Sequence, residues 1–150
     1  MADIKSPEER SRNMSKIRSR DTKPEEYFRK KLFFNGYRYR KNSSKIIGHP
    51  DAWLSKYNTA LFIHGCYWHR HNGCKYAYIP KSRIDFWTKK FARNIERDEE
   101  VVTKLKEQGV KAIIIWECTI KQMMKSSEFE KSVFLKVEQF FCSKELFLEL

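Results

Sequence analysis

Four residues with soft ligand atoms fall in one pattern: Cys66, then four residues, His71, then two residues, Cys74, with Cys118 further along. Thiolates and imidazole in this proportion suit a tetrahedral zinc ion, and in a reducing compartment they form a metal site more readily than a disulfide. Four ligands close the shell and would staple a loop that lacks an apolar core of its own. The competing reading makes the cysteines small buried hydrophobes and the histidines surface residues. Cys142, alone on an amphipathic stretch, is expected in the core.

A second group carries oxygen ligands and imidazoles. Gly48-His49-Pro50-Asp51 places an acid at the start of a strand, just after a Pro that fixes the backbone, although Pro-Asp is also a common turn. A hairpin turning at Tyr57-Asn58 would set Asp51 opposite the end of the next strand, near His64 and the loop that bears His69. A carboxylate there could hold Mg²⁺ together with a main-chain carbonyl and a substrate phosphate, which lowers the charge on a phosphate attacked by water. Glu25 could add a second acid, or could serve as the third residue of a capping box begun by Thr22. Lys90, Asn94 and Asp98 recur every four residues and so line one helix face, able to meet base edges or merely solvent. Tyr67-Trp68 could stack on bases. Met14 and Ile17 form a narrow apolar edge among Arg10, Arg12, Lys16, Arg18 and Arg20, fit either to dock on the domain or to wedge into DNA.

The elements that must position these residues follow from caps and periodicity. Ser6-Pro7-Glu8-Glu9 opens a basic helix reaching about Ile17, and Thr22-Lys23-Pro24-Glu25 opens a second that stops at Asn35-Gly36. Tyr37 to Arg40 alternates as a strand. Asp51 to Lys56 and Thr59 to His64 make the hairpin, and the apolar Ala60-Leu61-Phe62-Ile63 marks its second strand as central. Residues 65–80 form a loop. Ser82, with Asp85 three residues later, caps a long helix ending at Gln108-Gly109, with Phe86, Trp87 and Phe91 holding it to the sheet. Val110 to Trp116 is a second buried strand reached through that helix, and a last helix runs from Ser127 to Phe141. The order describes an α/β domain, a mixed sheet with helices on both sides.

The chain has 150 residues and a formal charge of +12, enough for one domain with a real core. Residues 1–50 hold 14 Lys and Arg against 6 Asp and Glu, whereas the last 50 hold 8 against 7, so the basic excess lies at the front. A positive field of this kind points to a polyanion, most commonly nucleic acid. The longest apolar run, Ala112 to Trp116, cannot cross a bilayer, and Asp3 and Lys5 stand where a signal peptide would turn apolar, so a soluble cytoplasmic protein is expected, with no membrane partner.

Asp21-Thr22, Pro50-Asp51, the block Phe62 to His71, Phe86-Trp87, Asn94 to Asp98 and Trp116-Glu117-Cys118 together resemble the very short patch repair (Vsr) DNA mismatch endonucleases, in order and at near-constant spacing to about residue 120. The resemblance implies a restriction-endonuclease-like fold in a single domain over 1–150, with a basic N-terminal arm (1–20) clamping DNA and a catalytic core (21–150). It implies Mg²⁺-dependent nicking 5′ to the thymine of a T:G mismatch in double-stranded DNA, where 5-methylcytosine has deaminated. Asp51 and the main-chain carbonyl of Ile63 would then bind Mg²⁺, His69 would be general base, and Glu25 and His64 would support the site. Cys66, His71, Cys74 and Cys118 would hold the structural Zn²⁺. Tyr67 and Trp68 would intercalate, Met14 and Ile17 would enter the opposite groove, and Lys90, Asn94 and Asp98 would read the mismatch. The implied setting is a monomer at a prokaryotic nucleoid, associated functionally with a DNA cytosine methyltransferase and in contact with mismatch-repair proteins. The sequence departs from the family in having Ile63 for the usual Thr, Tyr67 for Phe, and one extra residue between His71 and Cys74. Other readings are a nuclease of different specificity and a zinc-stapled DNA-binding module without catalysis.

Overall fold

The computed structural model describes Glu8 and residues 21–150, so the arm with Met14 and Ile17 lies outside the described residues. Helix α1 (Lys23–Phe34) starts on a full capping box, with the Thr22 N–H donating to Glu25 Oε2 at 3.1 Å and the Glu25 N–H to Thr22 Oγ1 at 3.5 Å. Strand β1 is only Arg40–Lys41, later and shorter than the alternation from Tyr37 suggests. Tyr37 instead packs edge-on against the rings of Tyr57 and Phe141, so its aromatic side chain caps the core without belonging to the ladder. Strands β2 (Ala52–Leu54) and β3 (Thr59–His64) form the expected hairpin, with Leu54 opposite Thr59. Its connection is longer than a two-residue turn: a 3₁₀ turn at Ser55–Tyr57 precedes Asn58 in the left-handed region (φ 50°).

Helix α2 (Ile84–Glu107) carries the chain to β4 (Lys111–Trp116), which pairs parallel to β3 from Thr59↔Lys111 to His64↔Trp116. The helix starts two residues after Ser82, which does not cap it. Arg83 occupies the cap position with φ 53° and no side-chain cap bond. Two elements were not legible in the sequence, helix α3 (Glu117–Lys125) and strand β5 (Phe147–Glu149), which lies parallel to β4. Between them runs α4 (Ser127–Phe141), capped by the Ser126 hydroxyl. The sheet order is β1-β2-β3-β4-β5, antiparallel on one side and parallel on the other.

Side chains alternate along the central strands and divide the core in two. Leu61, Ile63, Ile113 and Ile115 face α1, α3 and α4, whereas Ala60, Phe62, Ala112, Ile114 and Trp116 face the C-terminal part of α2 at Leu105. The N-terminal part of α2 contributes less: Phe91 is buried, but Phe86 is 42% exposed and Trp87 half-buried, so they are not the core residues expected. Cys142 is likewise exposed, because it forms the C-cap of α4 where the helix face has already turned to solvent. Among the described residues no helix is long and apolar enough to cross a membrane.

Candidate active site

The β2–β3 pairing carries Asp51 to the exit end of β3. Its Oδ2 accepts the Ile63 N–H at 2.7 Å, which extends the hairpin by one side-chain bond. Pro50 is fully buried behind it, and Gly48 (φ 85°) packs so closely that a Cβ there would lie 2.6 Å from Val101 Cγ1. The acid is therefore held from both neighbours. From the other side α1 brings Glu25, itself only 7% exposed, and the buried Arg29. Arg29 donates to Asp21 Oδ1 at 2.7 Å and to the Asp51 carbonyl at 3.4 Å, and its guanidinium lies 4.0 Å from Glu25 Oε2. Burial pushes the Asp51 carboxyl up to about 7, and the Glu25 carboxylate adds to the rise, against the lowering pull of the Ile63 N–H and Arg29. Two acids in a poorly hydrated corner with one shared guanidinium form a site short of positive charge.

Facing them across a cleft of about 290 Å³ are His64 and His69, whose rings stack in parallel with centroids 3.8 Å apart. His69 Nδ1 lies 2.6 Å from Asp98 Oδ2 on α2. A carboxylate only accepts at neutral pH, so Nδ1 carries the proton and Nε2 is left as the basic nitrogen. Burial and then the neighbouring His69 push His64 down to about 3, so it stays neutral. Glu25, Asp51, His64, His69, Arg97 and Asp98 all line this cleft, as does His49. The convergence of Asp51 with His64 and His69 expected from the hairpin is what the fold produces, with Glu25 as both cap and cleft wall.

The soft-ligand group also comes together. One ligand atom each from Cys66, His71, Cys74 and Cys118 lie within 4.8 Å of one another. His71 Nδ1 sits 3.6 Å from the Cys66 sulfur and 3.4 Å from that of Cys118. Cys118 arrives from the first turn of α3, which starts directly at the end of β4. Burial pushes the Cys66 thiol up to about 12. Three sulfurs and one imidazole nitrogen at this separation fit a tetrahedral ion with bond lengths near 2.0–2.3 Å.

Tyr67 and Trp68, half-buried, pack edge to face at 5.0 Å and join Tyr78, Trp87 and Phe91 in one aromatic cluster. On α2, Asn94 donates to the Trp68 carbonyl at 3.0 Å and Asp98 is engaged by His69, while Lys90 on the same face is half-buried. That stripe thus holds the loop carrying the aromatics and His69.

The family sequence model for DNA mismatch endonuclease Vsr matches residues 2–75. The chain is 32% identical over 144 residues to the DNA mismatch endonuclease Vsr of Escherichia coli K12, covering 96% of this chain and 90% of that one. It is 50% identical over 121 residues to the Type II nicking enzyme V.NmeAIP of Neisseria meningitidis serogroup A, with 81% and 86% covered, and 37% identical over 123 residues to V.XorIIP of Xanthomonas oryzae, with 82% and 90% covered. The chain belongs to the Vsr family. It is accordingly a DNA endonuclease, an enzyme acting on phosphodiester bonds of DNA.

Within this Vsr-family chain three residues escaped sequence reasoning. Arg29 reads as an ordinary helical cation, and only its position four residues after Glu25 hints at a partner. Arg70, in the left-handed region (φ 56°), donates to the carbonyls of Tyr67, Ala77 and Tyr78 and so braces the loop of the cysteine cluster from within. Glu149, on the unforeseen β5, accepts a bond from the Trp116 indole.

Proposed function

We propose that this Vsr-family endonuclease nicks duplex DNA 5′ to the thymine of a T:G mismatch left by 5-methylcytosine deamination, and so begins very short patch repair. The observation that supports this most is the shared cleft, in which two carboxylates face an Asp98-oriented His69. Asp51 and the Ile63 carbonyl would hold Mg²⁺, a fit supported by two acids that share a single guanidinium, and when bound the ion supplies charge neutralisation at the phosphate. His69 Nε2 takes the proton of the attacking water while Asp98 keeps the ring in the productive tautomer. Neutral His64 hydrogen-bonds without adding charge, and Glu25 holds water at the cleft wall. Cys66, His71, Cys74 and Cys118 would hold structural Zn²⁺.

Tyr67 and Trp68 would enter the base stack, Met14 and Ile17 the opposite groove, and Lys90 and Asn94 would lie along the mismatch. The contact to His69 favours a positioning role for Asp98 over base reading. The domain plan is a 1–20 clamp on a 21–150 core of restriction-endonuclease-like arrangement. It would act as a cytoplasmic monomer at the nucleoid, beside a cytosine methyltransferase and mismatch-repair proteins. A second reading, a nuclease of other specificity, is favoured by the 50%-identical relative's being named a nicking enzyme.

A 5′-labelled duplex bearing T:G or T:A, incubated with Mg²⁺ or with the Mg²⁺ omitted, separates the readings. Nicking only at T:G and only with Mg²⁺ supports the proposal. Equal cutting of T:A, or nicking without Mg²⁺, overturns it. Metal analysis of the purified chain should find about one zinc per molecule.

A further inference from the structure

Strand β5 lies outside the stretch matched by the family sequence model, yet it reaches the reactive histidines. The Trp116 N–H donates to the Leu150 carbonyl at 2.9 Å, and the Trp116 indole Nε1–H donates to Glu149 Oε1 at 2.7 Å. The indole is buried and contacts two histidines. Its face lies parallel to His71, with centroids 4.2 Å apart and planes 7° apart, and His64 meets it edge-on at 5.3 Å. His64 in turn stacks on His69. One continuous array of rings, His71, Trp116, His64 and His69, thus joins the cysteine cluster to the cleft. Glu149, Trp116 and all three histidines border the same cavity of about 1010 Å³.

An indole has one polar group, a donor, and in a buried wall that donor needs an acceptor. The Glu149 carboxylate at 2.7 Å supplies it as a short charge-assisted bond, so the ring's orientation is held by a directional contact in addition to packing, and losing it would leave the N–H unpaired. We propose that Glu149 is a positioning residue for the nicking reaction: it fixes the Trp116 indole, and through that ring the orientations of His71 and His64. This rests on the placing of His64 in the reacting cleft.

The test compares Glu149→Ala and Glu149→Gln with the unaltered zinc-loaded protein. It reads single-turnover nicking at saturating T:G duplex, duplex affinity, and the ¹H–¹⁵N side-chain resonances of the histidines without DNA. Ala removes the acceptor and should slow the nicking step about 10- to 100-fold, as loss of an orienting partner does, with affinity held and the His64 and His71 resonances moving together. Gln keeps a carbonyl acceptor and should restore both. If Glu149→Ala folds poorly, Trp116→Phe keeps a ring in the wall without its N–H and should show the same loss. Unchanged ring resonances with an unchanged single-turnover rate, in Glu149→Ala or in Trp116→Phe, overturn the inference, even if melting temperature falls. Failure of the underlying reading shows separately, as wild-type nicking by His64→Ala.

Discussion

Asp51→Asn should abolish nicking and yet make the Mg²⁺-free fold more stable at neutral and alkaline pH. The carboxyl of Asp51 titrates at about 7 in the folded chain against 3.8 for the unperturbed group. Between those values the folded state holds a proton that the unfolded state has lost, so stability falls as pH rises, by about 1.4 kcal/mol per unit over roughly three units. The cost, at most about 4 kcal/mol, is absent near pH 4 and complete above pH 7. Asn removes the charge, and its carbonyl can still accept the Ile63 N–H that Oδ2 accepts now. Part of Asp51 remains accessible to water, so a gain of about 2–3 kcal/mol at pH 8 is expected, equivalent to a rise in Tm of about 4–12 °C for a chain of this size. Urea unfolding of both proteins at pH 4, 6 and 8, in buffer free of Mg²⁺ but retaining the zinc, measures it. The curves should coincide at pH 4 and separate progressively to pH 8, and added Mg²⁺ should stabilise only the parent. A variant that is less stable at pH 8, or a gap that does not change with pH, would refute the account of Asp51 as a buried carboxylate held for a cation.

Two further outcomes follow from the geometry. His69→Ala should slow single-turnover nicking about 10²- to 10⁴-fold and Asp98→Asn by less, and the double variant should be no slower than His69→Ala alone; additive losses would show that the 2.6 Å contact does not act through His69. Gly48→Ala should cost about 1–3 kcal/mol in thermal unfolding and slow nicking, because its Cβ would meet Val101 in a left-handed backbone, whereas Gly36→Ala, also left-handed (φ 88°) but with open space around it, should cost about 1 kcal/mol and leave nicking intact. Equal effects at the two glycines would remove the loop's role in placing Asp51.

Local chemistry made a good part of the molecule readable from the residue string. The capping box at Thr22, the stop at Gly109 and the apolar run from Ala60 to Ile63 act within a few residues, and the structure has α1, the end of α2 and β3 where those signals lie. What failed was signal with more than one physical outcome. Tyr37 and Tyr39 alternate like a strand, but there are too few neighbouring backbone partners there to extend the ladder beyond Arg40–Lys41. Phe86 reads as core by its ring, yet the start of α2 lies away from the sheet. Helix α3 follows β4 with no breaker to announce it, and β5 is three residues long, too short to show a period.

The sequence by itself determined which atoms were available for chemistry: the Cys–His spacing, the acid held behind Pro50 and the basic front half are properties of the string. Only the tertiary structure decided how those atoms are charged and which of them cooperate. That Asp51 shares a corner with Glu25 and Arg29, that Asp98 holds His69, and that Glu149 holds a Trp116 in contact with two histidines are contacts between residues 22 to 33 positions apart. Desolvation and pairing depend on what surrounds a group in space, so residue type sets the range of its behaviour and packing sets its value.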